Sequence, residues 1–191
     1  HPVAHSFPTR RSSDLGFQHF AFCGVRGVGW SAERKQGFAD AIQTACPQAP
    51  AFERPLAWWE RPAAPADLRR WMRALPRPCG VMACHDTAGV LVTDACRAEG
   101  RGVPGDVAVI GVDNEDVLCE LADPSLSTIP CDCERIGFEA ARVLDRLIAG
   151  KPLPAAPVRI PPRPPLVRQS SDTLACADPL VARAVAHIRA H

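Results

Sequence analysis

The stretch Val107–Glu115, V-A-V-I-G-V-D-N-E, decides the fold. Five of the six positions Val107–Val112 are apolar, and the sixth is a glycine. A run of that length reads as a strand buried on both faces, the pattern of a parallel sheet covered by helices. Gly111 allows a close approach of backbone at the strand's end. Asp113, Asn114 and Glu115 follow where the chain leaves the sheet. Ligands bind at that end of open parallel sheets, because diverging loops leave a crevice there. A carboxylate and an amide so placed suit a small polyhydroxylated ligand. An Asx turn closing an ordinary strand accounts for the same letters.

Outward from this strand, strands and helices alternate. Phe17–Cys23, Ala51–Arg54 and Gly80–Cys84 read as strands, and Leu126–Ile129 as a short extended segment. Helices are expected at Ala32–Ala45, capped by Ser31, and at Thr87–Glu99, capped by Asp86. Ala66–Leu75 places Leu68, Trp71, Met72 and Leu75 on one helical face. Asp116–Leu121 is a short helix. Cys133–Ala149 carries the strongest helical signal, with Asp132 as cap and Ile136, Ala140, Val143, Leu144, Leu147 and Ile148 on one face. Leu56–Pro65, with Trp58-Trp59, reads as a loop, and Val158–Ile160 is a candidate strand in a proline-rich wrap. The alternation predicts an α/β, doubly wound parallel sheet.

The 191 residues suffice for one domain with a real core. A net charge of +1 argues against nucleic-acid binding by bulk charge. Nine cysteines without a framework read mostly as buried, reduced thiols of a cytoplasmic protein. No run approaches the ~18 apolar residues of a membrane span, and no apolar signal core precedes the first strand. The spacing Gly24-x-x-Gly27-x-Gly29 misses the dinucleotide fingerprint and no phosphate-loop lysine follows, so no cofactor is expected. Residues 1–15 are polar and aperiodic, look like a translated sequencing adapter, and are set apart as extraneous, Arg10-Arg11 included. Residues 170–177 read as a polar linker, and Asp178 caps a last amphipathic helix, Pro179–Arg189.

Cys84-His85-Asp86 holds the residue types of a nucleophilic triad. Neighbours in one strand point to opposite faces and cannot relay a proton in line. Cys131-x-Cys133, with Cys84 or His85, lacks the spacing of a zinc knuckle. Asp113, Glu115 and Asp116 do not make an octahedral oxygen set by spacing, so no metal is expected. Arg34 sits in the first turn of its helix, where the dipole disfavours a cation; that mild misfit hints at a ligand contact, and an exposed helix arginine is the commoner explanation of it. The remaining rim, Arg34, Asp86, Asp113 and Asn114, offers donors and acceptors without a base or nucleophile. Such a set suits binding rather than catalysis.

Five motifs in order then carry a resemblance: G-F-Q-H-F-A-F-C-G (Gly16–Gly24), W-S-A-E-R-K-Q-G-F (Trp30–Phe38), G-V-M-A-C-H-D (Gly80–Asp86), V-P-G-D-V-A-V-I-G-V-D-N-E (Val103–Glu115) and L-S-T-I (Leu126–Ile129). They resemble the sugar-sensing domain of lactose-repressor and ribose-binding-protein type. The tail D-P-L-V-A-R-A-V-A-H-I-R (Asp178–Arg189) resembles the opening helix of an AraC-type DNA-binding domain. The combination is similar to the xylose-operon activators.

The resemblance implies a type I periplasmic-binding-protein-like fold with the sugar between two lobes. This chain would be mainly the second lobe, with the first largely missing. The organisation implied is a partial effector domain over 16–169, a linker over 170–177, and the truncated start of an AraC-type helix-turn-helix domain over 178–191. Helix Cys133–Ala149 would cross to pack on the first lobe, and its apolar face would be exposed here. Arg34, Asp86 and Asp113 match the family's sugar-contacting positions, and Trp30 and Asn114 are further ligand-binding candidates. His85 stands where asparagine or threonine is common, which bears on the sugar's identity. The partners implied are a sugar effector, a pentose by the xylose likeness, operator DNA through a domain beyond this chain, and a second copy in a homodimer, without a membrane. A sugar-binding protein of a transport system, and an enzyme using Asp86 and Asp113 as acid and base, are the alternatives.

Overall fold

Apolar runs at Phe20–Val25, Cys79–Ala83 and Val107–Val112 make the three central strands of a five-stranded parallel sheet. The mixed segments Ala51–Arg54 and Ser127–Pro130 make its two edges, and the helices between strands return the chain to the same end of the sheet. The computed structural model describes residues 17–43, 47–54 and 64–173, together with positions 181 and 184. The readings of residues 1–15 and of Trp58-Trp59 lie outside the described residues, as does nearly all of the helix expected at Pro179–Arg189. The order is β1 (Phe20–Val25), α1 (Gly29–Ile42), β2 (Ala51–Arg54), α2 (Ala66–Ala74), β3 (Cys79–Ala83), α3 (Asp86–Ala98), β4 (Val107–Asp113), α4 (Asp116–Leu121), β5 (Ser127–Pro130) and α5 (Cys133–Ile148). The sheet order is β2-β1-β3-β4-β5, with every pair parallel.

Right-handed crossovers in that order put α1 on one face of the sheet and α2, α3 and α4 on the other. The direction of winding reverses between β1 and β3. Loops there diverge from adjacent strands, so a crevice opens at their C-terminal ends. The core supports this edge: Phe22, Val25, Val81, Val107 and Val109 of the strands are buried with Leu68, Met72, Val92 and Leu126. The α2 face is as the sequence predicts, with Leu68, Met72 and Leu75 buried and Trp71 half-buried against Phe52 at 5.3 Å between ring centroids.

Two expected caps are corrected. Helix α1 begins at Gly29, and Ser31 lies inside it, buried, accepting a 2.9 Å bond from the Val25 backbone N–H. Helix α3 is capped by His85, whose Nδ1 accepts from Ala88 N–H at 2.9 Å, and Asp86 is its first residue. Asp132 does cap α5, accepting from Arg135 N–H at 3.3 Å. Val158–Ile160 forms no strand; the return of the chain makes instead a single antiparallel bridge between Thr128 and Leu166.

The apolar face of α5 is open. Ile136, Leu144 and Leu147 are 45%, 57% and 48% exposed, although Glu139 on the same helix is buried between Arg135 and Arg142 at 2.7 Å from each. A contiguous apolar stripe of this kind drives association. The 191-residue chain is expected to self-associate, and the pair Leu144→Glu and Leu147→Glu to return it toward monomer in sedimentation velocity. A wild-type monomer at all concentrations would contradict this.

Candidate functional site

The site is built where β1, β3 and β4 end side by side. Trp30 and Arg34 lie one turn apart on α1 and so project from one face of it. From the β3–α3 junction come His85, Asp86 and Thr87, and from the end of β4 come Asp113 and Glu115. These seven residues line one cleft of about 510 Å³. Arg34, Asp86 and Asp113, far apart in sequence, therefore meet at one cleft, Arg34 and Asp113 at its rim and Asp86 beneath them.

Arg34 is the hub. Its NH2 makes a 2.7 Å ion pair with Asp113 Oδ1, and its NH1 donates to the Cys84 carbonyl at 2.6 Å. Its guanidinium lies 5.2 Å from the centroid of the Trp30 ring, within cation–π range. Trp30 in turn lies 5.7 Å from the His85 ring. The result is an aromatic wall beside a paired cation and anion. Flat apolar ring faces cover the C–H face of a sugar, and charged groups bond its hydroxyls with charge assistance. With α1 starting at Gly29, Arg34 lies in its second turn rather than its first, so the dipole misfit expected from the sequence falls away; Asp113 and the Cys84 carbonyl are what hold it at the cleft.

Asp86 is present but differently employed. It is 2% exposed, and its Oδ1 accepts from the Thr128 hydroxyl at 2.5 Å while its Oδ2 accepts from Glu115 N–H at 2.8 Å. Burial raises its pKa, against the opposing pull of those two donors. Both oxygens hold the loop after β4 to β5, so Asp86 shapes the cleft from its floor. Asn114 does not line the cleft: its amide donates to Asp116 at 2.5 Å and its Oδ1 accepts from Arg168 at 3.2 Å. The backbone explains this, since Asp113 and Asn114 have φ of +105° and +60°. That left-handed turn sends consecutive side chains to different neighbours.

Nucleophilic chemistry is not supported. Cys84 is buried, and burial pushes its thiol up to about 11. Among the described residues no group of three or more His, Cys, Asp and Glu is arranged to hold a metal ion. Sequence reasoning passed over Thr87 as a lining residue, and weighed Glu115 only as a metal ligand. Cys131, weighed there only for zinc, places its Sγ 3.4 Å from Asp113 Oδ1, a contact that joins β5's exit to β4's and leaves no local mark.

His85 gives the site a pH signature. Burial lowers its pKa, and its cap bond needs an unprotonated Nδ1. The folded state therefore favours neutral imidazole, so the stability it contributes is complete above the unfolded pKa of ~6.5 and is lost as pH falls through the folded value. The urea midpoint is expected to drop between about pH 7.5 and pH 5 more in wild type than in His85→Asn, which keeps a cap acceptor. Asp86, with its raised pKa, contributes with the opposite sign, and the comparison cancels it. Equal drops in both proteins would exclude His85 as the source.

Comparison with known proteins places the chain in a family. The model of the periplasmic binding protein-like domain matches residues 9–171. The chain belongs to that family. The match begins inside the segment that the sequence sets apart as extraneous. Among periplasmic-binding-protein-like relatives, the xylose operon regulatory protein of Haemophilus influenzae is 30% identical over 183 residues, 92% of this chain and 46% of the relative. That of Escherichia coli K12 is 28% identical over 185 residues, 93% and 46%. A solved structure of a xylose-binding transcription activator superposes with a TM-score of 0.80 at 26% identity, covering 98% of this chain and 50% of the other. The motif resemblance to the xylose regulators thus holds. The chain spans about half the length of the curated relatives it matches, and those relatives are regulators rather than enzymes.

Proposed function

We propose that this chain is part of the effector-binding domain of a sugar-responsive transcription regulator, and that its cleft takes a pentose, D-xylose first among them. The single observation that carries the reading is the convergence of Trp30, Arg34, His85 and Asp113 on one cleft at the C-terminal edge of a parallel sheet. Arg34 and Asp113 bond the hydroxyls, Trp30 stacks on the ring, and Asp86 holds the floor. In this reading the chain is mainly the second lobe of a two-lobed domain. The open face of α5 meets the first lobe, and the sugar binds best with the lobes closed. Closure shifts the population toward the DNA-competent arrangement. Operator DNA is read by an AraC-type domain beginning near residue 178, and the whole protein is a cytoplasmic homodimer. No helix among the described residues is long and apolar enough to cross a membrane.

The test uses the full-length protein in calorimetry with D-xylose, L-arabinose, D-ribose and D-glucose. Saturable binding of a pentose without turnover is expected. Binding of none of them, or chemical conversion of one, would overturn the reading.

A further inference from the structure

Asn114, turned away from the cleft, meets a residue from far along the chain. Arg168 is 16% exposed at its side chain, and its NH2 lies 3.2 Å from Asn114 Oδ1 and 3.5 Å from Asp116 Oδ1. Its NH1 donates to the Leu126 carbonyl at 3.1 Å. The segment that carries it is docked, not loose. Leu166 exchanges backbone bonds with Thr128 at 2.9 and 3.0 Å. Arg168 N–H donates to Ser127 Oγ at 2.8 Å, and Ser170 Oγ donates to the Val109 carbonyl at 2.7 Å, leaving Ser170 buried. Residues 169–171 form a 3-10 turn on the sheet, where the sequence predicts a linker to begin.

Two hydrogen-bonded routes thus run from the cleft to this segment. One goes from Asp113, through the left-handed turn, to the Asn114 amide and Arg168. The other goes from Asp86 to Thr128, which bonds both Asp86 and Leu166. Thr128 Oγ1 also accepts from Asn114 N–H at 3.3 Å, which ties the routes together. Two consecutive non-glycine residues at positive φ persist only where their surroundings hold them. On one side Arg34 holds Asp113; on the other Arg168 and Asp116 hold Asn114. A ligand that bonds Asp113 competes for the first hold, and the turn transmits the change to the second.

We propose that Arg168 is a positioning residue of the cleft: it clamps the Asp113–Asn114 turn from behind and couples what sits on Asp113 to the segment Leu166–Ser171. This rests on the reading of the cleft as a sugar site. From Ser171 the chain runs on toward His191, so the coupled segment lies on the covalent path to the region read as DNA-binding.

Hydrogen exchange in the full-length protein, with and without saturating D-xylose, tests it. In wild type, exchange over 166–171 is expected to change by about threefold or more on adding sugar. Arg168→Ala should bind the sugar more weakly but still saturably and, at saturating sugar, lose that response; Arg168→Lys should recover part of both. A purely structural role would alter protection equally with and without sugar, leaving the response intact, and that result would overturn the proposal. Should Arg168→Ala not fold, Asn114→Ala breaks the same contact from its other end while sparing the Leu126 bond, and the same loss is expected. Should wild type bind no sugar, the sugar reading fails on its own. The clamp is then judged without ligand: Asp113→Gly, which relaxes the turn, must change exchange over 166–171 with Arg168 present and not in the Arg168→Lys background to the same extent. Equal changes would overturn it.

Discussion

Asp113→Ala is expected to bind D-xylose roughly 10- to 100-fold more weakly than wild type in the full-length protein, the loss of one or two charge-assisted hydrogen bonds. Its folding transition should barely move. The Arg34–Asp113 pair is only partly shielded, with side chains 25% and 45% exposed, and such pairs contribute about 1 kcal/mol or less to stability. Position 113 has φ +105°, which alanine tolerates less well than aspartate. Asp113→Asn therefore serves as the control that keeps the backbone preference and removes the charge. Both variants should lose affinity, with asparagine the milder. Unchanged affinity in both, measured by calorimetry, would remove Asp113 from the site.

The second large effect lies one layer beneath. Gly111→Ala is expected to destabilise the protein by about 1–3 kcal/mol or more, the range for forcing extra volume into a packed core. A Cβ at Gly111 would overlap Asp86 Oδ1 and come within 3.1 Å of Asp86 Cα, so a side-chain rotation alone does not relieve the clash. Displacing Asp86 also unpairs the Thr128 hydroxyl and Glu115 N–H. Stability and sugar affinity should therefore fall together, unlike in Asp113→Ala. A urea midpoint equal to that of wild type would show that the strand end has slack the structure does not display.

Much of this was legible in the letters because it is local. The run Val107–Val112 is a strand, α4 covers Asp116–Leu121 as read, and the α5 stripe and its Asp132 cap follow from helical spacing. The need for glycine at 111 could be read from its place at a strand end; that Asp86 is what fills the space could not. The misread caps share one cause. Ser31 and Asp86 have the right side chains for capping, but each is claimed by a partner from another element, Val25 for one, Thr128 and Glu115 for the other. Histidine at 85 is an uncommon cap and carries no such signal in sequence. Arg34 and Asp113 could be placed at one rim because strand ends share an edge in a parallel sheet. The direction of Asn114 depends on positive backbone φ and on Arg168, 54 residues away, and neither leaves a mark in a local pattern.

The most direct measurement is isotope-edited NMR of the full-length protein with labelled D-xylose. The account predicts nuclear Overhauser contacts from sugar C–H protons to the Trp30 indole and the His85 ring, assigned by Trp30→Phe and His85→Asn. Saturable sugar binding without contact to either ring would contradict it.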